Sequence, residues 1–156
     1  MMNSPSSGNS PCRAGTDPFP DHYIQIEQRV RYSETDQMGV AHNKVYLEWF
    51  ELGRTEFCRS RGIPYGDIEK RGIYLVVAES FCRYKKPLRY DDLFFIRTAV
   101  RTISGKKTVF VYELKTKDGK TLIAEGYTVH VAVDKRGAVI SLPADILAKI
   151  ATPLIA

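Results

Sequence analysis

The residues best placed to do chemistry lie together in Tyr32-Ser33-Glu34-Thr35-Asp36-Gln37-Met38-Gly39-Val40-Ala41-His42-Asn43. A carboxylate (Asp36), a glycine (Gly39) and an imidazole (His42) directly precede an apolar pattern of helical period. A helix start offers unpaired backbone N–H groups and the positive end of the helix dipole. Such a spot holds an anion, or an oxyanion that develops during a reaction. Asp36 stands seven residues before Asn43 and can fold back toward the same spot. A carboxylate beside an oxyanion site is the minimum kit for acyl transfer to water. The same residue types also serve plainer ends. Aspartate is a common turn former, and a histidine here can be a hydrogen-bonded surface group.

Other chemistries lack their parts. Ser33 and Ser80 have no G-x-S-x-G setting for a serine nucleophile. Cys58 and Cys82 sit among apolar neighbours and read as buried structural thiols. His22, His42 and His130 are far apart in the chain, so no metal site is expected. No Rossmann or P-loop glycine motif is present. A second polar feature is Arg83-Tyr84-Lys85-Lys86-Pro87-Leu88-Arg89, at a strand end and its loop. It suits either the phosphates of a nucleotide-bearing substrate or a solvated turn.

These residues need elements to hold them. Ile24, Ile26, Val30 and Tyr32 lie at alternate positions, which predicts a half-buried strand from Tyr23 to Tyr32. Tyr46, Trp49, Phe50, Gly53 and Phe57 form one face at helical spacing, with Glu48, Glu51, Arg54 and Arg59 mostly off it. Asn43 is the expected N-cap, and Gly62 followed by Pro64 is the stop. Gly53 on the apolar face suggests close approach of another backbone. A short connector is expected around Pro64–Lys70. Strands are then expected at Ile73–Tyr84, Leu93–Ile103, Lys107–Thr116 and Thr121–Val133, with a hairpin at Asp118-Gly119. A short Val139–Leu142 piece and a helix over Pro143–Ile150 end the pattern. One long apolar helix facing at least five antiparallel strands predicts an α+β fold, a curved sheet wrapped around the helix. The exposed edges of such a sheet invite a homo-oligomer.

The 156 residues suit one domain, here 21–156. Residues 1–20 are rich in Ser, Pro, Gly and Asn and read as a flexible tail. A hydrophobic fraction of 44% supports a buried core and excludes a mainly disordered chain. No apolar run approaches a membrane span, and the first residues lack a secretory apolar stretch. Cys12, Cys58 and Cys82 form no CxxC pair, which suits a reduced, cytoplasmic setting. The net charge of +5 suits an anionic partner or simple solubility. The aromatic residues sit mostly at strand- or helix-core spacing and no RNA-binding motif accompanies the charge, so no nucleic-acid partner is expected.

Three blocks resemble a known family. The first is Asp36-x-x-Gly39-Val40, His42, Tyr46-Leu47, Phe50-Glu51 and Arg54-Thr55-Glu56. The second is Tyr84-x-Lys86-Pro87-x-Arg89-x-Asp91-Asp92. The third is Val131-Ala132-Val133-Asp134 with Gly137 and Leu142-Pro143. Together they resemble hot-dog-fold acyl-CoA thioesterases of the 4-hydroxybenzoyl-CoA thioesterase type, nearest the bacterial branch associated with the Tol–Pal cluster. The resemblance implies a long central helix wrapped by an antiparallel sheet. It implies dimers, often doubled to tetramers, with active sites at the dimer interface. It implies hydrolysis of acyl-CoA or acyl-carrier-protein thioesters without metal or cofactor.

Carried onto this chain, the resemblance makes Asp36 the catalytic carboxylate, as nucleophile or general base. The Asn43 backbone N–H becomes the oxyanion donor, with Gly39 allowing the close turn and His42 in the same motif. Tyr46, Glu51, Lys86 and Arg89 take substrate-side positions. Many relatives read Val-Val-Tyr-His-Ala-Asn-Tyr where this chain has Val40-Ala41-His42-Asn43-Lys44-Val45-Tyr46. The rival reading is a non-catalytic acyl-CoA-binding or regulatory hot-dog domain, which has no need of Asp36.

Overall fold

In the computed structural model, which describes residues 17–151, one long helix organises everything else. This helix, α1, spans Asn43–Ser60. Its buried residues Val45, Tyr46, Trp49, Phe50, Gly53 and Phe57 recur every three or four positions, so they form one stripe. That stripe rests on a five-stranded antiparallel sheet. The strands are β1 (Tyr23–Arg29), β2 (Tyr74–Tyr84), β3 (Leu93–Ile103), β4 (Lys107–Thr116) and β5 (Leu122–Val133). Their order across the sheet is β1-β3-β4-β5-β2, which leaves β1 and β2 as edges. This is the expected α+β hot-dog arrangement.

Two glycines let helix and sheet approach. A Cβ on Gly53 would overlap Thr98 Oγ1 and stand 3.0 Å from Ile96 Cγ2, both on β3. A Cβ on Gly126, in β5, would overlap the Phe81 carbonyl and stand 2.6 Å from Phe50 Cε2. The Phe50 ring therefore fills the space that Gly126 leaves. On its other side it stacks on Tyr112 with ring centres 4.3 Å apart. Burying such a ring contributes about 1.5–3 kcal/mol by area alone.

Several local expectations change. β1 stops at Arg29, and Tyr32–Glu34 forms a 3-10 turn in which Arg31 N donates to Glu34 Oε2 at 2.7 Å. The N-cap of α1 is His42, not Asn43: His42 Nδ1 accepts from Lys44 N at 3.1 Å. Arg54 is not off the apolar face but buried, donating to the Tyr65 and Tyr112 hydroxyls at 3.0 and 3.2 Å. The expected connector is a helix, α2 (Tyr65–Lys70), anchored by buried Ile68. Val139 makes only an isolated bridge to Val133, not a strand. The terminal helix α3 covers Ala144–Ala151, with Ile146 and Ile150 buried.

The sheet's outer face is apolar as well. Ala99, Val109, Val111, Tyr127 and Val129 cluster there, with Phe19, Tyr23 and Phe81 against them. Phe19, which the sequence reading puts in the tail, meets Tyr23 edge-on at 5.8 Å. The rest of that tail, residues 1–16 with Cys12, lies outside the described residues.

Candidate active site

The Asp36 loop is a small hairpin pinned at its base. Thr35 and Ala41 form an antiparallel bridge, and Asp36 N donates to Val40 O at 2.9 Å. The tip closes through Gly39 N to Asp36 O at 2.9 Å, with Gly39 at φ +75°. That left-handed conformation costs glycine least. Asp36 Oδ1 accepts from Met38 N at 2.8 Å, an Asx turn of the kind aspartate favours. Oδ2 has no protein donor among the described residues. The turn-forming and chemical readings of Asp36 are therefore compatible, because each uses a different oxygen.

The second wall is the segment after β2. Ala41 N donates to Leu88 O at 2.7 Å, and Val40 bridges Arg89. Lys85 N and Lys86 N both donate to Ile123 O, at 2.9 and 3.0 Å. These bonds fasten the basic segment to β5 on one side and to the Asp36 loop on the other.

Between the two walls lies a cavity of about 350 Å³. Asp36, Asn43, Tyr46, Tyr84 and Lys86 line it, with Val40, Ala41 and Pro87 supplying apolar surface. Asn43 is the first residue of α1. Its N–H is one of the four orphan donors that a helix start leaves. His42 Nδ1 takes Lys44 N and His42 O takes Val45 N, at 3.1 and 3.0 Å. The Asn43 N–H has no partner among the described residues. A half-buried carboxylate and a helix-end donor thus share one cavity.

Two tyrosines shape its apolar side. Tyr46 is buried and meets Tyr84 edge-on at 4.8 Å and Trp49 at 5.0 Å. Tyr84 OH donates to the Asn43 carbonyl at 3.2 Å, tying β2 to the start of α1. Burial, with smaller effects from Cys82 and Tyr84, pushes the Tyr46 phenol up to about 12. Burial raises the Tyr84 phenol and takes the Cys82 thiol up to about 11. All three stay neutral near pH 7.

The sequence-derived site residues divide accordingly. Asp36, Asn43, Tyr46 and Lys86 come together around the cavity. Gly39 shapes the loop beside it, and a Cβ there would stand 3.8 Å from Arg89 Nη1. His42 is exposed, and its ring nitrogen caps its own helix instead of lining the cavity. Arg89 is exposed outside the cavity, with its N–H donating to Asp92 Oδ2 at 2.8 Å. Glu51 is exposed on α1, about two turns beyond Asn43, and does not line the cavity of its own protomer. Tyr84 was missed as a site residue. Its signal was its place in the second motif block, directly before the two lysines. Among the described residues no group of His, Cys, Asp or Glu clusters as metal ligands.

Comparison with known proteins bears on the family and the fold. Residues 30–150 match the model of the thioesterase-like superfamily. YneP of Bacillus subtilis, provisionally named an acyl-CoA thioesterase, is 38% identical over 73% of this chain and 82% of its own length. The acyl-CoA thioesterase YbgC of Haemophilus influenzae is 30% identical over 72% of this chain and 81% of its own. The crystal structure of DHNA-CoA thioesterase from Staphylococcus aureus superposes with a TM-score of 0.74 at 32% identity, covering 77% and 80% of the two chains. With a family match over most of its length and a matching fold, the chain belongs to the thioesterase-like superfamily.

Proposed function

We propose that the protein hydrolyses acyl-CoA thioesters in the cavity between Asp36 and the start of α1. The observation that carries this reading is the shared cavity: Asp36 and Asn43 line it together, and Asp36 Oδ2 and the Asn43 N–H lack protein partners among the described residues. The thioester carbonyl lies with its oxygen on the Asn43 N–H and its carbon toward Asp36. The carboxylate delivers oxygen to that carbon, by deprotonating water or by attacking directly. Charge gathering on the carbonyl oxygen meets the N–H and the helix dipole; one such donor is worth about 3–4 kcal/mol in related chemistry. The tetrahedral intermediate collapses with loss of the CoA thiolate, a good leaving group that needs no strong acid. On the water route this releases the acid, and the proton held by Asp36 passes to the thiolate. On the direct route it leaves an acyl–Asp36 anhydride, which a water then hydrolyses to the acid and the free carboxylate. The acyl group rests on Tyr46, Tyr84 and Pro87, while Lys86 faces the anionic carrier.

The assembly belongs to the same proposal. β2 is an eleven-residue edge strand with Val76 and Val77 exposed. A long unpaired edge of this kind is a template for pairing. Two β2 edges joined across a twofold axis make a homodimer with one continuous sheet, and a second pairing makes a tetramer. Light scattering on the purified chain distinguishes dimer from tetramer, and a monomer overturns the pairing. Among the described residues no helix is long and apolar enough to cross a membrane. A cytoplasmic setting and a place near the Tol–Pal-associated branch remain part of this reading.

The test is thiol release from a panel of aromatic and short-to-long acyl-CoAs and acyl-carrier-protein thioesters. The expected loss for Asp36→Asn is about 10²–10⁴ in kcat, with the fold intact by circular dichroism. Single turnover in ¹⁸O water tests direct attack: label in Asp36 requires an acyl–Asp36 anhydride that water opens at the Asp36 carboxyl carbon, whereas the water route puts label only in the released acid. Tight acyl-CoA binding with no turnover on any thioester would favour a non-catalytic binding domain. Unchanged turnover in Asp36→Asn would sink the site.

A further inference from the structure

A second cavity lies at the other end of α1. Arg61, the C-cap of that helix, lines it together with Arg101, His22, Phe57, Ile103 and Ile150. Its volume is about 220 Å³, and it shares no lining residue with the Asp36 cavity. Eighteen helical residues separate the two ends, roughly 27 Å of axis.

The polar inventory of this cavity is one-sided. Among the described residues no carboxylate lines it. Arg61 Nε and Nη1 and Arg101 Nε are buried without a hydrogen-bond partner among the described residues. A buried, unsatisfied donor of this kind is costly, the more so when it is charged. Other contacts hold both guanidinium groups in place. Arg61 lies over the Phe57 ring at 4.7 Å, and Arg101 Nη2 donates to Pro18 O at 3.2 Å. The backbone also aims Arg101. The β3–β4 register runs from Val100↔Phe110 to Thr102↔Val109 and skips Arg101. A bulge of this sort re-aims a side chain and is found near binding sites. Burial holds the Arg61 guanidinium below its ordinary proton affinity, the direction an adjacent anion would reverse.

We propose that this cavity binds a small organic carboxylate, one carboxyl group on a single ring or a short branched chain. The carboxylate takes the free N–H groups of Arg61 and Arg101, the planar fork geometry for which arginine is suited. The apolar body lies on Phe57, Ile103 and Ile150. A free phosphate fits less well, because its further charged oxygens would face those apolar side chains. The site stands independently of the proposed hydrolysis, although an acid of this class is also what hydrolysis of a short or aromatic acyl-CoA releases.

The test is calorimetric titration of the full chain with benzoate, with inorganic phosphate as the comparison. One site per chain is expected for benzoate. Its Kd should weaken about tenfold in Arg61→Gln and in Arg101→Gln, the loss of one charged hydrogen bond. Asp36→Asn should leave it unchanged. No heat with benzoate overturns the proposal. So does binding that survives both arginine substitutions, because the acid then sits elsewhere. Equal binding of phosphate overturns the ligand class. Isotope-labelled methyl spectra of the wild type give a second reading that needs no variant. Ile103 and Ile150 should shift on benzoate addition, and shifts confined to Val40 overturn the placement.

Discussion

Acidification should destabilise this protein through one buried imidazole. His130, on β5, is fully buried; its Nε2 is 2.8 Å from Thr128 Oγ1, and Phe110 meets the ring edge-on at 5.4 Å. Thr128 Oγ1 also bonds the Tyr112 hydroxyl at 2.6 Å, and that hydroxyl accepts from Arg54 at 3.2 Å. Burial, and then the positive charge of Arg54, pull the His130 pKa from 6.5 to about 4, with the Leu75 backbone opposing. The folded protein therefore binds fewer protons than the unfolded chain between those two values. Stability from this group is fully present above pH 6.5 and is lost as pH falls toward 4. At about 1.4 kcal/mol per pH unit the full loss is roughly 3 kcal/mol. Linkage puts most of that loss between pH 6.5 and pH 4.5. The two exposed aspartates with shifted pKa, Asp118 and Asp145, are both lowered and so titrate below this window. The assay is urea unfolding from pH 7.5 to 4.5 at one fixed protein concentration, because an oligomer's stability depends on it. His130→Gln should flatten the profile over that range. A His130 resonance titrating near 6.5 in the folded protein, or an unchanged slope in the variant, would refute the reasoning.

Three further outcomes follow from other sites. Gly126→Ala drives a methyl against the Phe81 carbonyl and the Phe50 ring, and should cost about 1–3 kcal/mol of unfolding free energy. Adding Phe50→Leu should recover part of that cost, as expected for neighbours that share one space; strictly additive losses would show that the ring is not the obstacle. Tyr84→Phe removes only the bond to the Asn43 carbonyl and should leave kcat/KM within about threefold, whereas Tyr84→Ala opens the acyl wall and should raise KM about tenfold. Equal effects of the two changes would contradict an apolar role for the ring. Burial takes Cys58 and Cys82 up to about 12 and 11, so iodoacetamide at pH 7.5 should label neither before the protein unfolds. Fast labelling of Cys58 or Cys82, located by peptide mapping of the native protein, would contradict that burial.

Where one element's own pattern suffices, the sequence was readable. β3 and β4 fall at the residues expected, because turn formers bound each and apolar residues run between. The α1 stripe was legible from its spacing, and the close approach at Gly53 from a glycine on an apolar face. α2 was not legible, since six residues behind a proline carry too short a pattern. The Asp36 loop and the helix start after it drew attention by residue type and position, and the family resemblance added the Asn43 N–H as the specific donor. Tyr84 escaped because Asn43 and Tyr46, with which it walls the cavity, lie far from it in the chain.

The sequence alone determined the long helix, the five strands, their order and the α+β class, because periodicity and turn chemistry are local. It also determined the covalent nearness of Asp36 to the start of α1. Which donors stay free was a tertiary decision. His42 took the capping role assigned to Asn43, which leaves the Asn43 N–H open to the cavity. Arg54 looked like a surface charge and became the buried partner of two tyrosines, because α2 and β4 supply hydroxyls there. Arg61 and Arg101 are 40 positions apart in the chain and meet at one cavity only through the helix end and the bulge. Each outcome depends on what surface the packed neighbours cover, and no local pattern carries that information.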